Sequence, residues 1–326
     1  MLESQMESSA SEKQTNIDLS IVIISFNTVD MTRDCLKSVY ENTGDLACQI
    51  IVVDNDSQDG SVEMIAKEFP DVELIANTDN VGFAAANNQG FDIATGDYIL
   101  LLNSDTLVLG SVLENSVKYM RERKDLGAFG CRVLNTDRTL QRTCSMYPSL
   151  LNLTLLTLGL DRFSRPKWLK RYNMGHWQRD DTREVDVVSG CYLMIPKVLL
   201  NDVGPLDDAF FFFGEETDWC TRIRTHGWKV MFSPVGEIIH HGSVSAKKLK
   251  YKRDLLLTNG IIRLHRKHSG LLNAFVTWII LLIFNASRAV IWSVFAVFQK
   301  KHRERASHFF NVILHYTDAW PQEAGK

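Results

Sequence analysis

The chain has no excess of basic residues: 36 Lys and Arg against 39 Asp and Glu leave a formal charge of −3, with a pI near 6.3. That balance excludes a general nucleic-acid binder, which would present a basic surface. Its six cysteines include no C-x-x-C pair and no tightly spaced set, so neither a zinc site nor a disulfide scaffold is indicated. A reduced, cytosolic compartment is expected. The first eighteen residues, MLESQMESSASEKQTNID, contain no apolar h-region and read as a disordered polar tail, not a signal peptide. No internal repeat or low-complexity tract is present. Neither G-x-G-x-x-G nor a P-loop lysine motif occurs, which removes the main support for a dinucleotide-binding dehydrogenase or a P-loop enzyme.

What is present is alternation. At 326 residues the chain is long enough for one large domain or one and a half. Short β-branched runs at 20–27, 49–54, 72–76 and 99–105 each precede a segment of helical spacing, at 31–40, 61–69, 83–94 and 111–121. Strands and helices alternating at this spacing predict an α/β fold, a parallel sheet with right-handed crossovers and helices on its faces. The run Ile-Leu-Leu-Leu-Asn-Ser-Asp ending at Asp105 reads as a buried central strand that delivers a carboxylate to the sheet edge where such folds bind ligands. A hard oxygen there suits Mg²⁺ or Mn²⁺ carrying a diphosphate, because such ions take one or two protein carboxylates and leave the rest to phosphate and water. Two other strands also end in polar clusters, at Ser25 and Asn27 and at Asp54-Asn-Asp56. Three polar strand ends on one edge predict a nucleotide-binding crevice.

The motifs SIVIISFN, VVDNDSQDGS, NVGFAAANNQG and LLNSDT, followed by SGCYLMI, FFFFGEETDWCTRIRTHGW and HHGSVS, resemble the inverting GT-A glycosyltransferases of family 2, specifically their bacterial rhamnosyltransferase-like branch. The resemblance runs to about residue 268. It implies a GT-A nucleotide-diphospho-sugar transferase domain over 19–268, with a nucleotide-sugar half at 19–135 and an acceptor half at 136–268. It implies that Asp54 contacts the donor's base or ribose, that Ser25 and Asn27 line the nucleotide pocket, and that Asn80, Gly82 and Asn87 shape the donor site. Asp105 and His240 would contact the metal, with Asn103 beside them. The family's usual Asp-x-Asp is here Asn103-Ser-Asp105, and Asn103 is a neutral, poorer ligand.

In the second half, residues 185–195 read as one strand, with Gly190 allowing close backbone approach to a ligand. Three carboxylates, Glu215, Glu216 and Asp218, follow an aromatic run at 210–213 and open a helix, where the helix dipole alone would favour them. The resemblance places Glu216 where the family's catalytic Asp stands. Glu216 is therefore the expected base, Glu215 its alternative, and Asp218 is assigned to structure or the acceptor. Ser245 is expected near the phosphates, and Lys247, Lys248, Lys250, Lys252 and Arg253 form a solvated loop or a lid over them.

Beyond residue 269 lie two apolar runs, 274–284 and 289–298, separated by Asn-Ala-Ser-Arg288. As one membrane span they would hold Arg288 near mid-bilayer at about 2.5–3.5 kcal/mol. Basic residues also flank both ends, where a single span should show asymmetry. The expectation is an in-plane or re-entrant helix pair, so that 269–326 is a membrane-associated helical region with a basic tail. The apolar run 150–160, followed by Arg162, Arg165, Lys167, Lys170 and Arg171, is a second candidate for lipid headgroups or a lipid diphosphate. Together these imply transfer of a sugar, L-rhamnose from dTDP-L-rhamnose first, to a polyprenyl-diphosphate-linked saccharide for cell-surface polysaccharide. The partners are thus a nucleotide-diphospho-sugar, a lipid-linked acceptor and the cytoplasmic face of the inner membrane. The alternatives are a UDP-sugar-dependent galactofuranosyl or N-acetylhexosaminyl transferase and an inactive binding partner that retains the fold.

Overall fold

A computed structural model describes residues 16–163, 166–242 and 249–322. The first half alternates as the apolar spacing predicts: β1 (Leu19–Ser25), α1 (Val29–Glu41), β2 (Cys48–Asp54), α2 (Ser61–Glu68), β3 (Glu73–Ala76), α3 (Phe83–Ile93) and β4 (Tyr98–Asn103). Then come β5 (Thr106–Leu109), α4 (Val112–Arg121), β6 (Leu126–Leu134), β7 (Leu140–Gln141), β8 (Cys144–Ser145) and α5 (Leu150–Thr157). β9 (Arg183–Glu184), β10 (Val187–Val188), β11 (Tyr192–Pro196), α6 (Leu199–Asp202), α7 (Glu215–Thr225) and β12 (Lys229–His240) complete the sheet and its cover. Two helices close the chain, the 48-residue α8 (Tyr251–Phe298) and α9 (Arg303–Leu314).

Among the described residues the strands form a ten-stranded sheet in the order β3-β2-β1-β4-β11-β6-β12-β5, with β7 on β6 and β9 on β12. β3, β2, β1 and β4 are parallel. β11 enters antiparallel between β4 and β6, so the sheet is mixed beyond its nucleotide half. The near-continuous apolar runs are explained by burial on both faces. Within β1, Ile21 and Ile23 pack into one hydrophobic cluster with α1 and α4 residues such as Leu36 and Val117. Val22 points the other way, with Ala84 and Phe91 of α3 and Trp219 of α7.

The expected single strand over 185–195 is broken. Val187 and Val188 pair with β8, whereas β11 begins at Tyr192, whose N–H donates to Ser189 O at 3.4 Å. The intervening Ser189–Cys191 turn is thereby delivered to the sheet edge.

The expected helix pair is also corrected. Residues 271–298 form one uninterrupted helix, and α8 departs from helical geometry only at Gly270 (φ 85°, ψ 174°). The polar stretch between the apolar runs stays helical because its side chains return to the helix's own carbonyls, Asn285 Nδ2 to Leu281 O and Ser287 Oγ to Phe284 O, both at 2.8 Å. Arg288 does not face an apolar medium: its guanidinium donates to Thr157 O at 2.5 Å and Leu156 O at 3.0 Å, carbonyls in the last turn of α5. Leu153, Leu255, Leu281, Val312 and Tyr316 form a third cluster that ties α5, α8 and α9 together.

Candidate active site

Parallel register brings the polar strand ends level, Ser25 beside Asp54 and Ile24 beside Asn103. The N–H of Asn103 donates to Cys191 O at 3.3 Å, which joins the 189–191 turn to the same edge. β12 ends at His240 opposite Thr106, and the N–H of His241 donates to Asp105 O at 2.9 Å. At this edge lies a cleft of about 270 Å³ lined by Phe26, Thr28, Asn55, Asn80, Gly82, Asn103, Asp105, Ser189, Gly190 and Cys191. Phe211, Phe212, Phe213, Glu215, Glu216, Leu249 and Leu256 complete it.

Asp105 and His240 meet as expected, with Oδ1 and Nε2 3.1 Å apart and both side chains nearly buried. Asn103 Nδ2 lies 3.3 Å from the same Nε2, and the other ring nitrogen is 2.6 Å from Gln141 Oε1. Among the described residues no group of three or more His, Cys, Asp and Glu gathers for an ion. One carboxylate and one imidazole at this spacing nonetheless fit Mn²⁺ or Mg²⁺ when diphosphate and water supply the remaining ligands. His241 contributes its backbone here.

The donor loop is built by amides. Asn55 Nδ2 donates to Gly82 O at 3.2 Å, Asn77 Nδ2 to Asn55 Oδ1 and Gln89 Oε1, both at 2.9 Å, and Asn80 Oδ1 accepts from the Gly82 N–H at 3.0 Å. Gly82 has φ 89°, and a Cβ there would stand 2.7 Å from Phe211 O. Only glycine fits, and the neighbouring Phe83 N–H donates to that same carbonyl at 3.0 Å. Asn88 grips the backbone of Leu206 through both ends of its amide, at 2.9 and 3.1 Å. The asparagines of NVGFAAANNQG thus tie the donor loop to the segment that precedes the carboxylates. Asn87 faces inward, its Nδ2 on Phe83 O at 2.8 Å.

Asp54 is fully buried. Its Oδ1 accepts from the Ser57 N–H at 2.8 Å, while Oδ2 has no partner among the described residues, an unmet acceptor suited to a hydroxyl or N–H donor. Ser25 and Asn27 are not among the cleft-lining residues. Ser25 Oγ pairs with Thr32 Oγ1 at 3.3 Å, and Asn27, at φ 53°, clamps the 57–58 loop through Gln58 N and Ser57 Oγ at 2.8 Å each. Phe26 and Thr28 take the lining positions instead. Gly190 lines the cleft, and a Cβ there would meet Phe83 at an ordinary 3.4 Å.

Glu215 and Glu216 line the same cleft as Asn103 and Asp105. Phe213 and Gly214, just before α7, both have left-handed φ, 71° and 102°, a geometry that costs a non-glycine residue about 1–3 kcal/mol and is concentrated at functional sites. Burial pushes the Glu215 carboxyl well up, and the charge of Glu216 adds to it. Burial also raises Glu216, less far. Two buried carboxyls that both favour the neutral form titrate as a pair, so the site holds a proton into the range where free carboxylates are ionised. Oε2 of each has no partner among the described residues.

Asp218 is not among the cleft-lining residues. Its buried carboxylate pairs with Arg222 Nε, Lys267 Nζ and His268 Nε2, each at 2.8 Å. Burial alone would raise this carboxyl, but these donors hold it down to about 2. It pins α7 to α8, the structural half of its two expected roles. Ser245, with Lys247 and Lys248, lies outside the described residues.

Gln141, Ser189, Cys191 and Gly260 of α8 went unmarked in the sequence. Two of them carried a signal: Asn-Thr-Asp-Arg-Thr at 135–139 is a turn composition that places Gln141 on a hairpin, and a glycine inside a helix is costly unless packing requires it.

Comparison with known proteins agrees with this geometry. The chain is 22% identical over 207 residues to the N-acetylglucosaminyl-diphospho-decaprenol L-rhamnosyltransferase of Mycobacterium tuberculosis, covering 59% of this chain and 66% of that one. It spans just under two thirds of that relative's length. A mannosyltransferase from Pyrobaculum calidifontis, solved with GDP-Man and Mn²⁺, superposes with a TM-score of 0.54 at 16% identity, over 95% of this chain and 89% of that one. GalNAc-T7, solved with UDP, GalNAc and Mn²⁺, does so with a TM-score of 0.55 at 16% identity, over 78% and 48%. Both share the GT-A fold. The chain belongs to glycosyl transferase family 2, whose sequence model it matches over residues 20–202, more than half of its length.

Proposed function

We propose that this protein is an inverting glycosyltransferase that moves a sugar from a nucleotide diphosphate to a lipid-linked saccharide at a membrane surface. The carrying observation is one cleft whose lining includes both Asp105, paired with His240, and the carboxylates Glu215 and Glu216. In the reaction, Glu216 accepts the proton of an acceptor hydroxyl as that oxygen attacks the anomeric carbon. The bond from that carbon to the diphosphate oxygen breaks on the opposite face, which inverts configuration. A proton shared by the Glu215–Glu216 pair would spare the site a second negative charge. A divalent ion held by Asp105 and His240 would supply charge neutralisation for the leaving diphosphate. Asp54 and the Asn55–Gly82 pairing would hold the nucleoside end.

L-rhamnose from dTDP-L-rhamnose is our first reading of the donor, supported by the sequence motifs and by the M. tuberculosis relative. The same relative supports a polyprenyl-diphosphate acceptor. UDP-sugars are the alternative donor. Membrane association rests on the second segment of α8. Ala274, Thr277, Leu281, Asn285 and Ala289 form its buried stripe, while Leu272, Phe275, Ile283, Val290, Val294 and Phe298 are exposed on the opposite face. A helix apolar on both faces with one face uncovered suits the membrane interface, and Lys300, Lys301, Arg303 and Arg305 follow it, cations suited to anionic headgroups.

The test is transfer from labelled dTDP-L-rhamnose and a panel of UDP-sugars to a short polyprenyl-diphosphate-GlcNAc acceptor, with Mg²⁺, Mn²⁺ or EDTA. Metal-dependent transfer from one donor, absent in Glu216→Gln, is expected. No turnover or binding of any donor would overturn the reading.

A further inference from the structure

The amides around His240 form a chain whose direction is set at its far end. Asp137, at the tip of the β6–β7 hairpin, has a carboxylate that can only accept. The Thr139 hydroxyl therefore donates to Asp137 Oδ1, at 2.6 Å. The Thr139 oxygen is then left to accept from Asn135 Nδ2 at 2.9 Å, which fixes Asn135 Oδ1 as an acceptor. Gln141 Nε2 donates to that oxygen at 2.9 Å and to His240 O at 3.2 Å, so its Oε1 is the atom facing the His240 ring. At 2.6 Å from Nδ1, an amide oxygen can be satisfied only by an N–H. Each link fixes the next, and the last puts a hydrogen on Nδ1. Nε2 then faces a donor, Asn103 Nδ2 at 3.3 Å, and an acceptor, Asp105 Oδ1 at 3.1 Å, the place where a divalent ion would take over from any hydrogen on Nε2.

We propose that Gln141 is a positioning residue for the metal site: held by the Asp137–Thr139–Asn135 hairpin relay, it locks His240 in the Nδ1–H tautomer and aims its Nε2 lone pair at the divalent ion beside Asp105. The proposal rests on the metal reading of Asp105 and His240. Outer partners of this kind set ring orientation and ligand basicity, and their loss costs roughly 10–100-fold in metal affinity.

Nitrogen-15 shifts of the His240 ring in the metal-free full chain read the tautomer directly, and free Mn²⁺ measured by electron paramagnetic resonance reads affinity for the ion alone. The wild type is expected to carry its hydrogen on Nδ1. Gln141→Met is expected to mix the tautomers and weaken Mn²⁺ binding about 10–100-fold. A wild-type ring with its hydrogen on Nε2 overturns the proposal without any variant, and so decides the matter even where Gln141→Met does not fold. So does Gln141→Met binding Mn²⁺ like wild type while Asp105→Ala and His240→Ala lose it. Should Asp105→Ala and His240→Ala both bind Mn²⁺ normally, the metal reading itself falls, and the proposal with it.

Discussion

Gly260 of α8 is pressed against Phe213: a Cβ at Gly260 would stand 2.3 Å from the Phe213 carbonyl oxygen. The long helix is thus the backstop of the strained loop that presents Glu215 and Glu216. Gly260→Ala must displace backbone, at about 1–3 kcal/mol for an overpacked site. A lower melting temperature and a kcat that falls further than donor affinity are expected, read by thermal unfolding, steady-state kinetics and calorimetry.

The two carboxylates separate by substitution. Glu216→Gln should lower transfer about 10²–10⁴-fold and leave donor binding unchanged, measured with saturating acceptor. Because burial raises Glu216 above the ordinary 4.5, the acid limb of the wild-type pH profile should lie above that value.

Glu215 makes the opposite kind of prediction. Its folded-state pKa is raised, so the carboxyl stabilises the fold fully below the ordinary carboxylate pKa of 4.5 and that contribution is lost as pH rises toward the folded value. Glu215→Gln, which cannot ionise, should therefore gain melting temperature over wild type as pH rises from about 4 to 8. A difference that stays flat across this range would refute the assignment.

Asp218 works in the reverse sense. With its pKa held down to about 2 against an ordinary 3.8, its contribution is present above about pH 4 and is lost as pH falls toward 2, amounting to about 2 kcal/mol. Acid unfolding of Asp218→Asn should lack this part of the wild-type transition, read by circular dichroism between pH 5 and 2 at fixed ionic strength, a window of about three units around the two pKa values.

Metal affinity should respond to the neutral member of the site. Asn103→Asp adds a charge 3.3 Å or so from where Asn103 meets His240 and is expected to tighten Mn²⁺ about tenfold, since carboxylate count tunes such sites. Asp105→Ala should abolish both Mn²⁺ binding and transfer. Calorimetry and the transfer assay check the two together.

On the membrane side, Val294→Asp combined with Phe298→Asp charges the uncovered face of α8 without touching its buried stripe. Flotation with anionic vesicles should drop sharply, because an Asp at apolar depth costs about 2.5–3.5 kcal/mol. Melting temperature should hold.

Much of the fold was legible because its first half obeys local rules: buried parallel strands are continuously apolar, and their helices repeat at helical spacing. Asp54 and Asp105 were marked for the same reason, since each follows such a strand, whereas His240 and the Glu pair were marked through the family resemblance. What escaped the sequence is set by tertiary partners. Nothing local shows that Ser25 and Asn27 spend their polar atoms on Thr32 and the 57–58 loop, or that Asp218 is claimed by Lys267 and His268, some fifty positions further along the chain. The Arg288 cost that argued for a helix pair disappears once α5 is seen to end beside it. A single residue whose partner is distant gives no periodic signal at all.

The break at Gly270 decides where this chain tolerates shortening. A chain stopped at Gly270 keeps Gly260 behind Phe213 and keeps Lys267 and His268 on Asp218, but strips Leu281, Val312 and Tyr316 from Leu153 and Leu255. One stopped before Leu255 loses the backstop as well. Making a detergent-free catalytic piece is therefore a matter of repainting Leu153 and Leu255, not of finding a cleaner place to cut.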